Sequence, residues 1–369
     1  MSRVSTRYLV LYVVMMVVVF LLVAGVGAYA GPTHLFSSRY EKGMAEILLS
    51  GNNVANPRDY DQGRLQKYYV SGLTEGRDVI VLGDSRSMFL RQDLFPGRTF
   101  QNNMMYGAGL HDYFAIYEMY EERGLTPSIV VIELEPSLLD RNGTRLDYDS
   151  LEGEYFAMAE RLGLSVSHSS ISSQISAFRG DIAELLSWPN FVLAASSMIA
   201  RGGRRDYFAT TDRVGILSDG SIASEWTSYP SSLSSRVEAT AVEQAKQIAA
   251  GLPHGSTAPD QESARELESF VQHLQENGVD VIFYLPPYHP SAYDILVHSE
   301  QGSSILQAEA YFRELAHMRG IVVVGSYDPQ ESSCTGDDFF DAIHPMESGV
   351  DKVFSSLDCT PPAKCHVVE

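Results

Sequence analysis

Positive charge is scarce in this chain of 369 residues: 27 Lys and Arg stand against 47 Asp and Glu, a net charge of −20. Such a surface repels phosphate backbones, which excludes nucleic acid as a partner. One small basic cluster, Arg201, Arg204 and Arg205, interrupts the acidity and reads as a solvated face. Cysteine is nearly missing, with three residues that all lie close to the C-terminus: Cys334, Cys359 and Cys365. There is no repeat and no long low-complexity tract, so a solenoid is excluded. There is no G-x-S-x-G, so the strained nucleophile elbow of common lipases is excluded too. Only one long apolar run occurs, which limits the chain to one membrane span.

That run, Tyr8 to Ala30, carries no charge and is dense in Val, Leu and Met. A bilayer needs about 20 apolar residues. Arg3 and Arg7 precede it, which places residues 1–7 in the cytoplasm, residues 8–30 in the membrane as an anchor, and the remainder outside, periplasmic or extracellular. Ala28-Tyr29-Ala30 has the A-x-A form of a signal cleavage site, but the run exceeds the roughly 7–15 residues of a signal-peptide core, which favours retention. In an oxidising compartment a disulfide at the tail is expected, Cys334 with Cys359 first and Cys359 with Cys365 as the alternative. A metal site at Cys359, Cys365 and His366 lacks a fourth ligand, so no metal and no cofactor is expected.

Residues 31–77 read as a juxtamembrane lead-in with short helices at Ser38–Leu49 and Asp61–Val70. A regular alternation follows. Strands are expected at Asp78–Leu82, Thr99–Met105, Ser128–Leu134, Val279–Leu285 and Ile321–Val324. Helices are expected at Ser87–Leu94, His111–Arg123, Gln261–Asn277, Gln307–Arg319 and Met346–Leu357. Strands apolar on both sides, alternating with helices, predict a parallel sheet covered on both faces. The expected fold is α/β, a flavodoxin-like three-layer α/β/α sandwich with a parallel five-stranded sheet over 78–357. It carries an insertion at about 139–259, with helical pieces at Asp181–Ser187 and Asn190–Ala200, and a tail at 358–369. Ligands of such sheets sit outside the carboxyl ends of the strands. Ser85, Gly107, Glu133, Tyr288 and His344 fall on that rim.

Two short strings carry the chemistry. Val79 to Ser85 reads V-I-V-L-G-D-S, and Phe339 to Pro345 reads F-F-D-A-I-H-P. They supply a nucleophile, Ser85, a general base, His344, and a carboxylate three positions before it, Asp341, that orients the base. A helix opening behind Ser85 would aim N–H groups at an oxyanion. The Ser85 N–H and a second donor from Gly107 or Gly109 would form the oxyanion hole. The bland reading is that G-D-S is common and that a Ser or Asp before a helix is usually a cap. The placement of the two strings, after the first strand and after the last, favours the catalytic reading. Arg86 is a candidate for binding an acidic sugar or carrier phosphate or for stabilising developing charge, with a structural salt bridge to Asp84 or a nearby carboxylate as the equal alternative. Tyr288 offers a face for a sugar, and His289 a competing base or a stiff loop residue. Glu133 and Glu135 could act as a carboxylate pair, but more often such groups cap a helix or pair with Arg.

These blocks resemble the SGNH/GDSL hydrolase superfamily: Gly83-Asp84-Ser85, Gly107 or Gly109, and Asp341-Ala342-Ile343-His344. The resemblance covers Asp78 to about Leu357, interrupted by the insertion. The G-x-N-D block, whose Asn donates to the oxyanion, is absent; the equivalent strand ends Glu133-Leu134-Glu135-Pro136-Ser137. Asn102 or Asn103 is a candidate replacement donor. One span followed by an exported domain of this kind resembles the accessory O-acetyltransferases of bacterial exopolysaccharide systems. What the resemblance implies is transfer or hydrolysis of O-acyl groups, acetyl first, on a cell-surface or extracellular glycan. The implied partners are that glycan or acylated polymer and a multi-span membrane acyltransferase that delivers the acyl group. The missing block also motivates another reading, a non-catalytic glycan-binding or assembly factor of an export complex.

Overall fold

The computed structural model describes residues 3–30, 38–57, 60–140, 146–165, 207–223, 234–251, 259–299, 302–361 and 364–368. The expected helical pieces at 181–187 and 190–200 and the cluster Arg201, Arg204 and Arg205 lie outside the described residues. Helix α1 runs over Arg3–Ala30. Its side chains are described at Tyr8, over 11–22 and at Gly25, and these are exposed. Among the described residues no helix is long and apolar enough to cross a membrane. The expected anchor therefore draws no support from the fold.

The domain is built on a parallel sheet. Its strands in chain order are Val79–Leu82, Phe100–Asn102, Ile129–Glu133, Asp280–Leu285 and Val322–Gly325. The order across the sheet is second, first, third, fourth, fifth, all parallel. That is the doubly wound flavodoxin-like order, with its topological switch point beside the first strand. The two faces feed separate cores. Ile80, Leu82, Val130, Ile132 and Phe283 meet the helices Leu110–Glu122, Gln261–Glu276 and Ser303–Arg319. Val79, Val81, Val131 and Ile282 meet Phe89, Phe95 and the closing helix Glu347–Phe354. Each such fully buried aliphatic side chain contributes about 1.5–3 kcal/mol by leaving water. The apolar runs on both sides of each strand follow from this double coverage.

Three expectations need correction. No α-helix follows Ser85: the chain makes two short 3₁₀ turns, Ser85–Ser87 and Gln92–Leu94. The lead-in is not a separate piece, because its strand Asn53–Ala55 pairs antiparallel with Phe208–Thr210 and Ile216 of the insertion. With Ile222–Ala223 these form a second sheet of four strands. The disulfide joins Cys359 to Cys365, and Cys334 is free and buried.

The small sheet is stitched to the Ser85 side of the large one. The Asn102 N–H donates to the Asp219 carbonyl at 2.7 Å, and the Ile222 N–H to the Met88 carbonyl at 2.8 Å. Gly220 makes this approach possible: its φ is +82°, and a Cβ there would run into the Asn102 carbonyl. The last helix of the insertion, Ser234–Gly251, reaches the opposite side, where Gln244 Oε1 accepts the Ala342 N–H at 3.0 Å. The insertion thus braces both loops that carry the two motifs.

Candidate active site

The Ser85 turn starts where the first strand ends. Asp84 accepts the Arg86 N–H at 2.8 Å, and Ser87 Oγ donates to the Asp84 carbonyl at 2.8 Å. These short-range bonds cap and hold a single 3₁₀ turn, Ser85–Ser87. Beneath it, Glu133 Oε2 accepts the Asp84 N–H at 2.9 Å. Gly83 leaves room for that carboxyl: a Cβ at this position would lie 2.6 Å from Glu133 Oε2 and would also collide with Ser87 Oγ. Asn102 Nδ2 donates to the carbonyls of Ser87 and Leu90 at 2.8 and 2.9 Å, which secures the turn from the side.

His344 lies 259 positions away in sequence and meets Ser85 directly: Ser85 Oγ and His344 Nε2 are 2.8 Å apart. His344 Nδ1 lies 2.8 Å from Asp341 Oδ2. The i, i+3 spacing is realised in a tight turn, not in a helix. Asp341 Oδ1 accepts the N–H groups of Ile343 and His344, both at 2.9 Å, in the manner of an Asx turn. Phe340 stacks flat on the imidazole, with centroids 5.1 Å apart and planes at 4°. Burial raises the Asp341 carboxyl, but the bond and charge of His344 and the two backbone donors outweigh it and hold its pKa below the ordinary value.

Arg86 is fully buried and binds no ligand-facing surface. Its Nε donates to the Ile343 carbonyl at 2.9 Å, its Nη2 to Pro286 and Pro287 carbonyls at 2.6 and 3.0 Å, and its Nη1 pairs with Glu135 at 3.2 Å. Its guanidinium carbon sits 4.3 Å from the centre of the Tyr288 ring. Burial opposes the charge on Arg86, yet Tyr288, Glu135, Glu133 and Asp84 together raise its pKa above the ordinary arginine value. One residue after Ser85, this side chain ties the Ser85 turn to the His344 turn.

The other binding candidates also lie beneath the site. Tyr288 is buried and supports Arg86. His289 is buried, caps the helix Pro290–Val297 through Nδ1, and donates its backbone N–H to the Ala342 carbonyl at 2.9 Å. Burial lowers its pKa despite Glu238 and Asp341 nearby, which favours the neutral ring. Asn103 is buried and accepts the Tyr120 hydroxyl at 3.0 Å. Asn102 is spent on the Ser87 turn. For the oxyanion hole, Ser85 and Gly107 N–H groups meet no acceptor among the described residues, whereas the Gly109 N–H is held by Asp112 at 2.9 Å. Gly107 is exposed with φ +71°.

Asp84, Glu133 and Glu135 place carboxylate oxygens within 4.8 Å of one another. The Arg86 guanidinium lies beside that group and pairs with Glu135 at 3.2 Å. Burial first, then the Asp84 charge, raises Glu135 to about 7, with Arg86 opposing. Glu133, wholly buried, is raised well above the carboxylate range for the same reasons.

A cleft of about 750 Å³ opens at Ser85 and His344. Met88, Phe89 and Phe340 line it beside the two motifs, with Tyr106 at its edge. Ala55, Asn56 and Pro57 of the lead-in and Phe208, Val214, Gly215, Ile222 and Ala223 of the insertion form the facing wall. A second cavity of about 310 Å³ lies at the opposite end of the sheet, lined by Asp280, Arg319 and Lys364, remote from Ser85. The cleft residues and the Phe340 stack were not legible in sequence, because they belong to short strands and turns without periodicity. Glu133 did leave a signal, a carboxylate closing a strand of aliphatic residues. Compared with known proteins, the chain matches no family model and no curated protein.

Proposed function

We propose that this protein is an exported serine acyltransferase or acylesterase, anchored by its N-terminal helix, that acts on O-acyl groups of a cell-surface or extracellular glycan. The observation that supports the reading is the unbroken hydrogen-bond chain from Ser85 Oγ through His344 to Asp341, both links 2.8 Å. In the first step Ser85 Oγ attacks the acyl carbonyl while its proton passes to His344 Nε2. Asp341 stabilises the imidazolium and fixes the ring, without taking the proton itself. The ester C–O bond breaks as His344 returns the proton to the leaving oxygen. In the second step a glycan hydroxyl or water gives its proton to His344 and attacks the acyl-Ser85, which frees the serine. The N–H groups of Ser85 and Gly107 are the proposed oxyanion donors. No cofactor enters this scheme. The resemblance to SGNH/GDSL enzymes and to accessory O-acetyltransferases points the same way, with a multi-span membrane acyltransferase as donor partner. The uncharged stretch from Tyr8 to Ala30 behind Arg3 and Arg7 supports the anchor and the outward orientation.

Ser85→Ala and His344→Ala are each expected to lower kcat by about 10⁴-fold, the scale for loss of a triad member. Steady-state kinetics on activated esters measures this, and undiminished turnover by Ser85→Ala would sink the assignment. A fluorophosphonate should label Ser85 in the folded protein, read by intact mass. Absence of labelling beside a reactive control esterase would favour the non-catalytic glycan-binding alternative.

A further inference from the structure

The cleft beside Ser85 is out of proportion to an acetyl group. At about 750 Å³ it has the size of a site for a drug-sized ligand. Its lining side chains are mostly apolar, with Met88, Phe89 and Phe340 beside the two motifs and Phe208, Val214 and Ile222 from the insertion. Among the described residues, the polar side chains that line it besides Ser85 and His344 are Asn56 and the Tyr106 phenol. The described side chains offer a glycan few hydrogen-bond partners. Phe208 and Tyr106, 56% and 47% exposed, stand at its edge. Large aromatic faces left in water beside a nucleophile mark a place where apolar substrate is received. The facing wall is also a dedicated construction. It exists because a strand of the lead-in, Asn53–Ala55, pairs with strands of the insertion, and the pairing is bonded to the Ser85 side through Ile222 and Met88. The turn leaving that strand holds Asn56 at φ +54°, an uncommon conformation for a residue other than glycine, at the cleft surface.

We infer that the cleft is an acyl-chain subsite, and that the group transferred by Ser85 is a medium-chain acyl of about six to ten carbons rather than acetyl. This rests on the serine acyl-transfer reading above and specifies its substrate. The chain lies between the Phe89/Phe340 side and the Phe208/Val214 wall, with its carbonyl at Ser85 and the hydroxyl acceptor entering from the open side. With a p-nitrophenyl ester the Ser85–acyl bond forms as the bond to p-nitrophenolate breaks. The serine proton goes to His344, and water then releases the carboxylic acid and regenerates the hydroxyl.

The test uses p-nitrophenyl esters of increasing length with the full chain in detergent, so that the leaving group is constant and only the acyl part varies. Each methylene taken into an apolar site is worth about fourfold. The kcat/KM for the octanoyl ester should exceed that for the acetyl ester at least tenfold. In Val214→Trp, which fills the cleft, and in Phe208→Ala, which strips an exposed wall residue, the octanoyl-to-acetyl ratio should fall at least tenfold. Phe208 is exposed on a short strand, so its replacement leaves the core intact. Fluorophosphonate labelling of Ser85 is run on the same samples. Labelling with a flat or acetyl-favouring series overturns the subsite and leaves the serine chemistry standing. No labelling and no turnover at any length overturns both.

Discussion

Glu133 ends a strand whose other residues are aliphatic and fully buried, and its carboxyl is buried with them. One oxygen holds the Asp84 N–H; the other meets no partner among the described residues. Burial and the neighbouring charges of Asp84 and Glu135 raise its pKa far above 4.5. A raised acid binds its proton more tightly in the folded state. Its favourable contribution is complete below the unfolded value and is lost as pH rises toward the folded one. Glu133→Gln keeps an acceptor for the Asp84 N–H and removes the titration. Its melting temperature should exceed that of the parent by at least about 2 °C at pH 8 and converge with it near pH 4. Differential scanning fluorimetry across that range checks this, and parallel profiles would show that Glu133 stays charged in the fold. The residue was legible as an anomaly in sequence. Its task was not, because the Asp84 N–H that it holds lies 49 positions upstream.

At the scale of elements, the site is two turns held by one side chain. The Ser85 turn is local, set by Asp84 and Ser87. The His344 turn is local as well, set by Asp341. Their mutual placement depends on Arg86, whose fork reaches Ile343, Pro286, Pro287 and Glu135 at once. A lysine keeps the charge but offers a point in place of a planar fork. Arg86→Lys is therefore expected to lower kcat by about 100-fold with little change in KM, the consequence of a base displaced by about an ångström. Steady-state kinetics with chemical denaturation of the same protein separates this from unfolding. Unchanged kcat would mean that the turns are positioned without the clamp. The sequence suggested a sugar-binding role or a salt bridge for Arg86 with equal force. The strand ends that bring four acceptors to it are decided by sheet register, which no local pattern encodes.

At the scale of the whole molecule, the lead-in and the insertion matter most. They are separated by the entire first half of the large sheet, yet pair into one small sheet that walls the cleft. Helix α1 precedes this body, and none of its described side chains belongs to either buried core. Removal of residues 1–37 should leave the melting temperature of the remaining domain within about 2 °C of the parent. It should also abolish sedimentation with liposomes, which the full chain is expected to show. A truncated chain that still pellets with vesicles would place membrane affinity elsewhere. The Cys359–Cys365 bond closes a short loop at the far end of the chain, where it steadies the two-stranded tail without reaching the site.

The sequence by itself determined the α/β class, the five parallel strands and the two strings that meet at the candidate site. Those features are written in local terms: double-faced apolar runs of strand length, and short turns closed by their own Asp and Ser side chains. The burial of Arg86, Tyr288, His289 and Asn103 beneath the rim, and the cleft, were decided only by tertiary structure. Each depends on contacts between segments tens to hundreds of residues apart. The energy of such contacts comes from burial and from satisfied backbone groups, which become defined only when the chain is packed.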